Sequence, residues 1–360
     1  MSGLKIALDA TASTGEHLSG VGVYARELMR ELARLHPEAG WIWCYRSQRW
    51  RAALREPRPA PVRRRPLLDS WVPAADLFHG LGQRLPAVFD RQPRRTRTVA
   101  TFHDLFVMTR DYSTPEFRER FTRQAREAAR RADAIIAVSR FTAGQVESLL
   151  GVEPGRIHVV HHGVRPLIAA EPAGAAATVR EPLILSVGAL QVRKNTLGLL
   201  RAFERLPQAA IAAGWKLVLA GARGYGAEEL VAEIERSPRR AAIELPGWID
   251  DAALARLYAR ASVFAFPSLD EGFGIPIVEA MAAGVPVLIS SASSLPEVAG
   301  GAAVEVEPGD TGALGEALRR LIEDEDLRAG LAAKGRARAQ EFSWEKCAQQ
   351  TWQVYRSIGG

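Results

Sequence analysis

The feature that most constrains this chain is an alternation. Short apolar runs of four to six residues recur along its 360 residues, separated by longer amphipathic stretches. The period-3.6 stretches cannot be strands, and the short runs cannot bury themselves as helices. Such alternation implies parallel sheets wound by helices on both faces. Strands are expected at Lys5–Asp9, Trp41–Tyr45, Asp76–His79, Arg97–Phe102, Ala134–Val138 and Ile157–Val160. A second set follows at Leu183–Val187, Trp215–Ala220, Ala242–Leu245, Val263–Phe266, Val285–Ile289 and Ala303–Val306. A helix is expected over Glu116–Arg131, opened by Ser113–Thr114–Pro115, with Phe117, Phe121, Ala125, Ala128 and Ala132 as its apolar stripe. Pro166–Glu181 lacks periodicity, holds two prolines and reads as a linker. The Pro/Arg-rich run Arg55–Pro66 reads as a loop. The expected class is therefore α/β, with two doubly wound Rossmann-like domains. They span 1–168 and 182–342, with a ligand cleft expected between them.

Charge divides the chain in the same place. Residues 1–165 hold 27 Lys and Arg against 17 Asp and Glu, residues 166–360 hold 20 against 24, and the net charge is +6. Arg supplies nearly all of the positive charge. A basic first half suits a phosphorylated substrate, an anionic membrane surface or nucleic acid, and equally a solvated Arg-rich surface. Clustered aromatics on a basic β-platform are missing, so no nucleic-acid partner is expected. No apolar run reaches the length of a membrane span. Two distant cysteines, Cys44 and Cys347, fit a reducing cytoplasm better than a disulfide framework.

Two segments carry the chemistry. In the first, Gly188 permits a sharp turn after a strand, and Arg193 and Lys194 precede a helix starting near Thr196. Two cations beside free backbone N–H groups suit a diphosphate, although a surface pair reads the same way. In the second, Glu271–Gly272–Phe273–Gly274–Ile275–Pro276 leads into a helix carrying Glu279. Loop N–H groups there can hold phosphate or sugar hydroxyls, and a carboxylate can accept from two hydroxyls. A surface glutamate pair and a glycosidase pair are the alternatives. His103, at a strand's carboxyl end before Asp104, is a candidate site residue. No His/Cys cluster has metal-ligand spacing. Asp324–Glu325–Asp326 is formally D-x-D but reads as a solvated helical face.

Glu271 and Glu279 match the E-x7-E pattern of retaining GT-B glycosyltransferases. Over about residues 4–350 the chain resembles glycosyltransferase family 4, including its bacterial polysaccharide mannosyltransferases. Ser19–Gly20–Val21–Gly22–Val23–Tyr24, Thr101–Phe102–His103–Asp104–Leu105, Val138–Ser139–Arg140–Phe141–Thr142, His161–His162–Gly163–Val164 and Gly247–Trp248–Ile249–Asp250–Asp251 carry the resemblance with the two segments above. It implies a GT-B enzyme whose residues 343–360 form a helix packing back on the first, acceptor-binding domain. Arg193 and Lys194 would hold the donor diphosphate, and Glu279 the ribose. Glu271, Gly272, Phe273, Gly274 and Ile275 would hold the sugar. Gly188, Trp248 and Ile249 would flank the nucleotide, Gly20 and Gly22 would line the diphosphate or acceptor, and His103 and Ser139 would lie on the acceptor side.

The function so implied is transfer of a hexose, with retained configuration and without metal or other cofactor, from a nucleotide diphosphate sugar to a glycan or lipid-diphosphate-linked acceptor. GDP-mannose is the best match among donors, with UDP-glucose as the alternative. A nucleotide-sugar epimerase, a nucleic-acid-binding protein and a membrane-associated scaffold are the rival readings. Cytoplasmic placement is expected, with peripheral docking on the inner leaflet. Arg46, Arg49, Arg51, Arg55, Arg58, Arg63, Arg64 and Arg65, with Trp41, Trp43, Trp50 and Trp71, form the basic and aromatic stretch that would do the docking.

Overall fold

A computed structural model describes residues 3–15, 17–57, 59, 61–90, 96–165 and 180–359. Two compact units result, Met1–Gly163 with Ser343–Gly360, and Val164–Phe342. Most of the expected linker, along with Arg58, lies outside the described residues.

The first unit is built on a seven-stranded parallel sheet. Its strands are β1 (Lys5–Asp9), β2 (Gly40–Tyr45), β3 (Arg63–Pro66), β4 (Leu77–Gly80), β5 (Arg97–Phe102), β6 (Ala134–Ala137) and β7 (Ile157–Val159), in the order β3-β2-β1-β4-β5-β6-β7. The second unit holds a six-stranded sheet of β8 (Glu181–Val187), β9 (Lys216–Ala220), β10 (Ile243–Gly247), β11 (Ala261–Phe266), β12 (Val287–Ser290) and β13 (Ala303–Val306), in the order β10-β9-β8-β11-β12-β13. Each sheet winds outward in one direction and then reverses. The reversal leaves a crevice at the carboxyl ends of β1 and β4 in one unit, and of β8 and β11 in the other.

Helices cover both faces, so central strands are apolar throughout. Val263, Phe264 and Ala265 are all fully buried. The helix Pro115–Arg131 begins as its sequence dictates, with Thr114 Oγ1 accepting from the Phe117 amide and proline in the first turn. Phe121, Ala125, Ala128 and Ala132 are buried, while Phe117 stays exposed.

Two sequence expectations are corrected. Arg63–Pro66 is a strand, not a loop: it pairs in parallel with β2, Ile42 opposite Arg63 and Tyr45 opposite Pro66. It lies at the sheet edge, where arginines stay wet and a proline loses no ladder bond. Trp41 and Trp43 are 1% and 4% exposed and belong to the core, because β2 presents both to one covered face. They offer nothing to a membrane. Arg46 is also buried, 3.2 Å from the Asp69 carboxylate.

The terminal helix Trp344–Ile358 completes the first unit. Trp344, Cys347, Ala348, Val354 and Tyr355 join the cluster around Ile6, Leu8, Tyr24 and Trp41. Tyr355 Oη lies 2.6 Å from His79 Nδ1, and His79 Nε2 lies 2.8 Å from Thr101 Oγ1. Tyr355→Phe leaves that buried imidazole nitrogen without its partner. We expect a loss of about 1–3 kcal/mol in urea unfolding followed by far-UV circular dichroism. An unchanged midpoint would show that the hydroxyl is dispensable to helix docking.

Candidate functional site

The reversal between β8 and β11 brings the two sequence segments together. After β8 the chain turns at Gly188, whose φ is +144°. That positive φ favours glycine, and the Lys194 ammonium lies against the turn, where a β-carbon would stand 3.7 Å from Nζ. Gly221, after β9, is tighter still: its β-carbon would fall 1.9 Å from the Gly188 carbonyl oxygen. Gly188 N donates to Ala220 O at 2.9 Å and Gly221 N to Gly247 O at 2.8 Å, so three strand ends are laced into one rim. Leu269 N donates to Arg193 O at 2.7 Å, which ties the loop after β11 to the loop after β8.

Glu271 occupies the middle. Its carboxylate is buried with Arg193 Nη1 3.0 Å from Oε2, and the Lys194 ammonium is in close contact with Oε1. Lys194 Nζ also lies 4.7 Å from the centre of the Phe266 ring, and Arg193 Nη1 donates to the Asp270 carbonyl at 2.9 Å. Burial alone would raise the Glu271 pKa, but Arg193 and Lys194 together outweigh it and hold the group down at about 2. Glu271 is thus ionised at any physiological pH. It cannot donate a proton, but it can accept from hydroxyl groups.

Two residues not flagged by the sequence support this arrangement. Ser293 Oγ accepts from the Glu271 amide at 2.9 Å, and Ser294 Oγ donates to the Glu271 carbonyl at 2.9 Å. Ser293, at φ +54°, and Asn195, at φ +53°, are the non-glycine residues with positive φ among the described residues. One supports Glu271 and the other follows Lys194. Backbone strain concentrated at these positions fits a site held in one geometry.

Gly272, Phe273, Gly274 and Ile275 lead into the helix Ile275–Ala282, with Phe273 buried and Gly274 in the left-handed region at φ +94°. Glu279 lies buried in that helix. Arg165 donates to its Oε1 through Nε at 3.1 Å and Nη2 at 2.8 Å, and Tyr258 Oη donates to Oε2 at 3.3 Å. Burial raises the Glu279 pKa, and Arg165 opposes the rise. The sequence offered no signal for Arg165, a lone arginine after a glycine motif. Trp248 and Ile249 follow β10; Trp248 is exposed and Ile249 half-buried. Asp324 caps the helix Glu325–Ala339 by accepting from the Leu327 amide, and the exposed Asp324–Glu325–Asp326 is a helix start.

In the first unit, Gly20 and Gly22 open the helix Gly20–Leu35 behind the Ser19 cap. A β-carbon at Gly22 would approach the Ala12 carbonyl to 2.7 Å, which requires glycine there. Ser139 is buried and caps the helix Arg140–Leu150 through the Thr142 amide, a structural task. His103 follows β5 at its carboxyl end, with Nε2 2.9 Å from the Leu81 carbonyl. Its ring stacks on His162 at 5.5 Å and meets the edge of Tyr24 at 4.7 Å.

Comparison with known proteins places the chain in a family. Residues 18–166 match the family model described as Glycosyltransferase Family 4, and residues 170–338 the model described as Glycosyl transferases group 1. The chain is 33% identical to an O-antigen chain mannosyltransferase B from Escherichia coli, over 78% of this chain and 74% of that protein. It is 29% identical to an MMP alpha-(1->4)-mannosyltransferase from Mycolicibacterium hassiacum, over 94% and 95%. A sucrose-phosphate synthase structure from Thermosynechococcus elongatus superposes with a TM-score of 0.79 at 23% identity over 99% of each chain, which establishes the shared fold.

Burial lowers the pKa of His103 to about 4 and of His79 to about 3, and carries His162 well below the ordinary 6.5. Below pH 6.5 the unfolded chain takes up protons that these folded rings refuse. The first unit therefore loses about 1.4 kcal/mol per histidine per pH unit until each folded pKa is reached. We expect His79, His103 and His162 to show no titration between pH 8 and 5 by NMR, with urea midpoints falling over the same range. Ordinary titration near 6.5 would contradict their burial.

Proposed function

The chain belongs to glycosyltransferase family 4, and on that premise we propose that it transfers mannose from GDP-mannose to a hydroxyl of a growing polysaccharide, with retained anomeric configuration and without a metal. That it is a glycosyltransferase of GT-B fold follows from the family and structural matches. Mannose is supported by the names of the E. coli and M. hassiacum relatives, both mannosyltransferases. The observation that carries the donor site is the buried Glu271 carboxylate clasped by half-buried Arg193 and Lys194 between the ends of β8 and β11.

Transfer breaks the bond between the sugar's anomeric carbon and the diphosphate, and charge builds on the leaving oxygen. Arg193 and Lys194 are held by Glu271 before substrate arrives, so little reorganisation is needed when that charge appears. Their fixed positive charge supports a reaction without metal. Glu271, neutralised by two cations and ionised down to about pH 2, is a poor nucleophile and no acid. Its place is to accept hydroxyl protons of the sugar. The acceptor oxygen then forms the new bond, and its proton leaves with the diphosphate. A glycosidase pair, the alternative raised by two glutamates, needs a carboxylic acid with a raised pKa as proton donor. Glu271 is held in the opposite direction, and Glu279, although burial raises its pKa, has its carboxylate engaged by Arg165 and Tyr258 rather than free to meet a glycosidic oxygen.

We assay GDP-mannose, UDP-glucose and UDP-galactose for turnover with polysaccharide primers, in EDTA. GDP-mannose is expected to be consumed with an α-linked product by NMR. Lys194→Ala is expected to lower kcat by about 2–4 kcal/mol of transition-state stabilisation. Wild-type kcat/KM in Lys194→Ala rejects the phosphate site. A requirement for Mn²⁺ or an inverted product rejects the corresponding part of the reading.

We further propose a lipid-diphosphate-linked acceptor and docking on an anionic leaflet, now without Trp41, Trp43 and Arg46. No helix among the described residues is long and apolar enough to cross a membrane. The helix Ser47–Arg55 exposes Arg49, Arg51 and Arg55 beside Leu54, which is 57% exposed. Arg63, Arg65 and Trp71 are exposed nearby in sequence. Each basic group near an anionic surface contributes about 1 kcal/mol, and salt screens it. Co-sedimentation with phosphatidylglycerol vesicles is expected at low salt and not at high salt. Equal binding to phosphatidylcholine vesicles, or none to either, overturns the docking.

A further inference from the structure

Glu279 is held more elaborately than a lone acceptor needs. Arg165 fills both lone-pair sites of Oε1 with Nε and Nη2, while its Nη1 donates to Asp251 Oδ1 at 2.8 Å. Tyr258 Oη, from the helix Asp251–Arg260, shares its one proton between Oε2 and the Pro276 carbonyl, each at 3.3 Å. Carboxylate oxygens offer two sites each, so one site on Oε2 is left. The side chains of Arg165 and Glu279 are 12% and 3% exposed, so the pair is nearly dry.

We propose that Arg165 is a positioning residue for the nucleotide: it fixes the Glu279 carboxylate so that Oε2 is the oxygen presented to a ribose hydroxyl of a nucleoside diphosphate. This deepens the donor-site reading and rests on it. A guanidinium can serve two carboxylates from one planar fork, and a lysine in its place cannot. The groups that act on Glu279 are Arg165, Asp251 and Tyr258. Of these, Arg165 alone is a cation, and it separates Glu279 from the like charge of Asp251. Without it, a buried carboxyl beside another carboxylate takes up a proton, and a protonated Glu279 no longer offers the same acceptor.

The test uses the full chain and calorimetric titration with GDP and UDP, scored on whichever the wild type binds more tightly. Arg165→Gln is expected to weaken that nucleotide about tenfold at pH 6.5, and to lose less at pH 8.5, the direction in which a carboxyl raised by burial acts. Its kcat at saturating donor is expected to stay within about twofold, since Arg165 does not touch the leaving group. Arg165→Lys is expected to fall between wild type and Arg165→Gln, and it carries the test if the glutamine variant does not fold. Adding Arg165→Gln to Glu279→Gln is expected to cost nothing further, because both remove one function. If Glu279→Gln weakens binding while Arg165→Gln and Arg165→Lys do not, the positioning role falls and the donor site stands. Additive losses in the double variant place Arg165 directly on the nucleotide and overturn the role as stated. If the wild type binds neither nucleotide, or Glu279→Gln binds as wild type, the donor-site reading itself falls.

Discussion

A buried carboxylate between two cations governs the second unit. Burial of an isolated charge is prohibitive, so Glu271 can sit under the strand ends only because Arg193 and Lys194 come to it. Those cations in turn require the turn at Gly188, the left-handed Asn195 and the hydrogen bond from Leu269 to Arg193. Ser293 and Ser294, from the loop after β12, then fasten the Glu271 backbone. Removing the carboxylate would leave two half-buried cations facing each other. The ion triad is therefore a structural constraint on the rim as well as a binding device.

Much of this was legible in the sequence because it is local. Gly188, Arg193 and Lys194 lie within seven residues, and Glu271 to Glu279 within nine, so strand–turn–helix punctuation alone places them at carboxyl strand ends. Arg165, Tyr258, Ser293 and Ser294 were not legible. They reach the site from other elements, and nothing in their own neighbourhoods marks them. The tryptophans show a different failure. Trp-Ile-Trp-Cys-Tyr is recognisable as a strand, yet its tryptophans were assigned to a membrane boundary. Burial depends on whether helices cover both faces of β2, which no local pattern reports. The strand Arg63–Pro66 was hidden for the converse reason: an edge strand needs only one partner and can be almost wholly polar.

His103 carries a further lesson. Its place after β5, beside the reversal point of the first sheet, is where a ligand-binding side chain belongs. The same ring is buried, stacked on His162 and edge-on to Tyr24, and bonded to the Leu81 carbonyl. A histidine held neutral there can serve as a hydrogen-bonding group over the whole physiological range, and burial denies it the proton a charged role would need.

The terminal helix gives the chain an insertion topology: the second unit, Val164–Phe342, is spliced into the first. Both splice points meet, since a β-carbon on Gly163 would strike the Trp344 amide nitrogen at 2.2 Å. The order in which the two units can be completed is therefore opposite to the usual one, in which the amino-terminal domain matures first. The second sheet has all its strands and helices once Phe342 is made. The first must wait, with Tyr24, Leu28 and Trp41 short of their partners, until Trp344 to Tyr355 have emerged. A nascent chain thus carries a first sheet with all seven strands but one uncovered helix site throughout the making of the second unit.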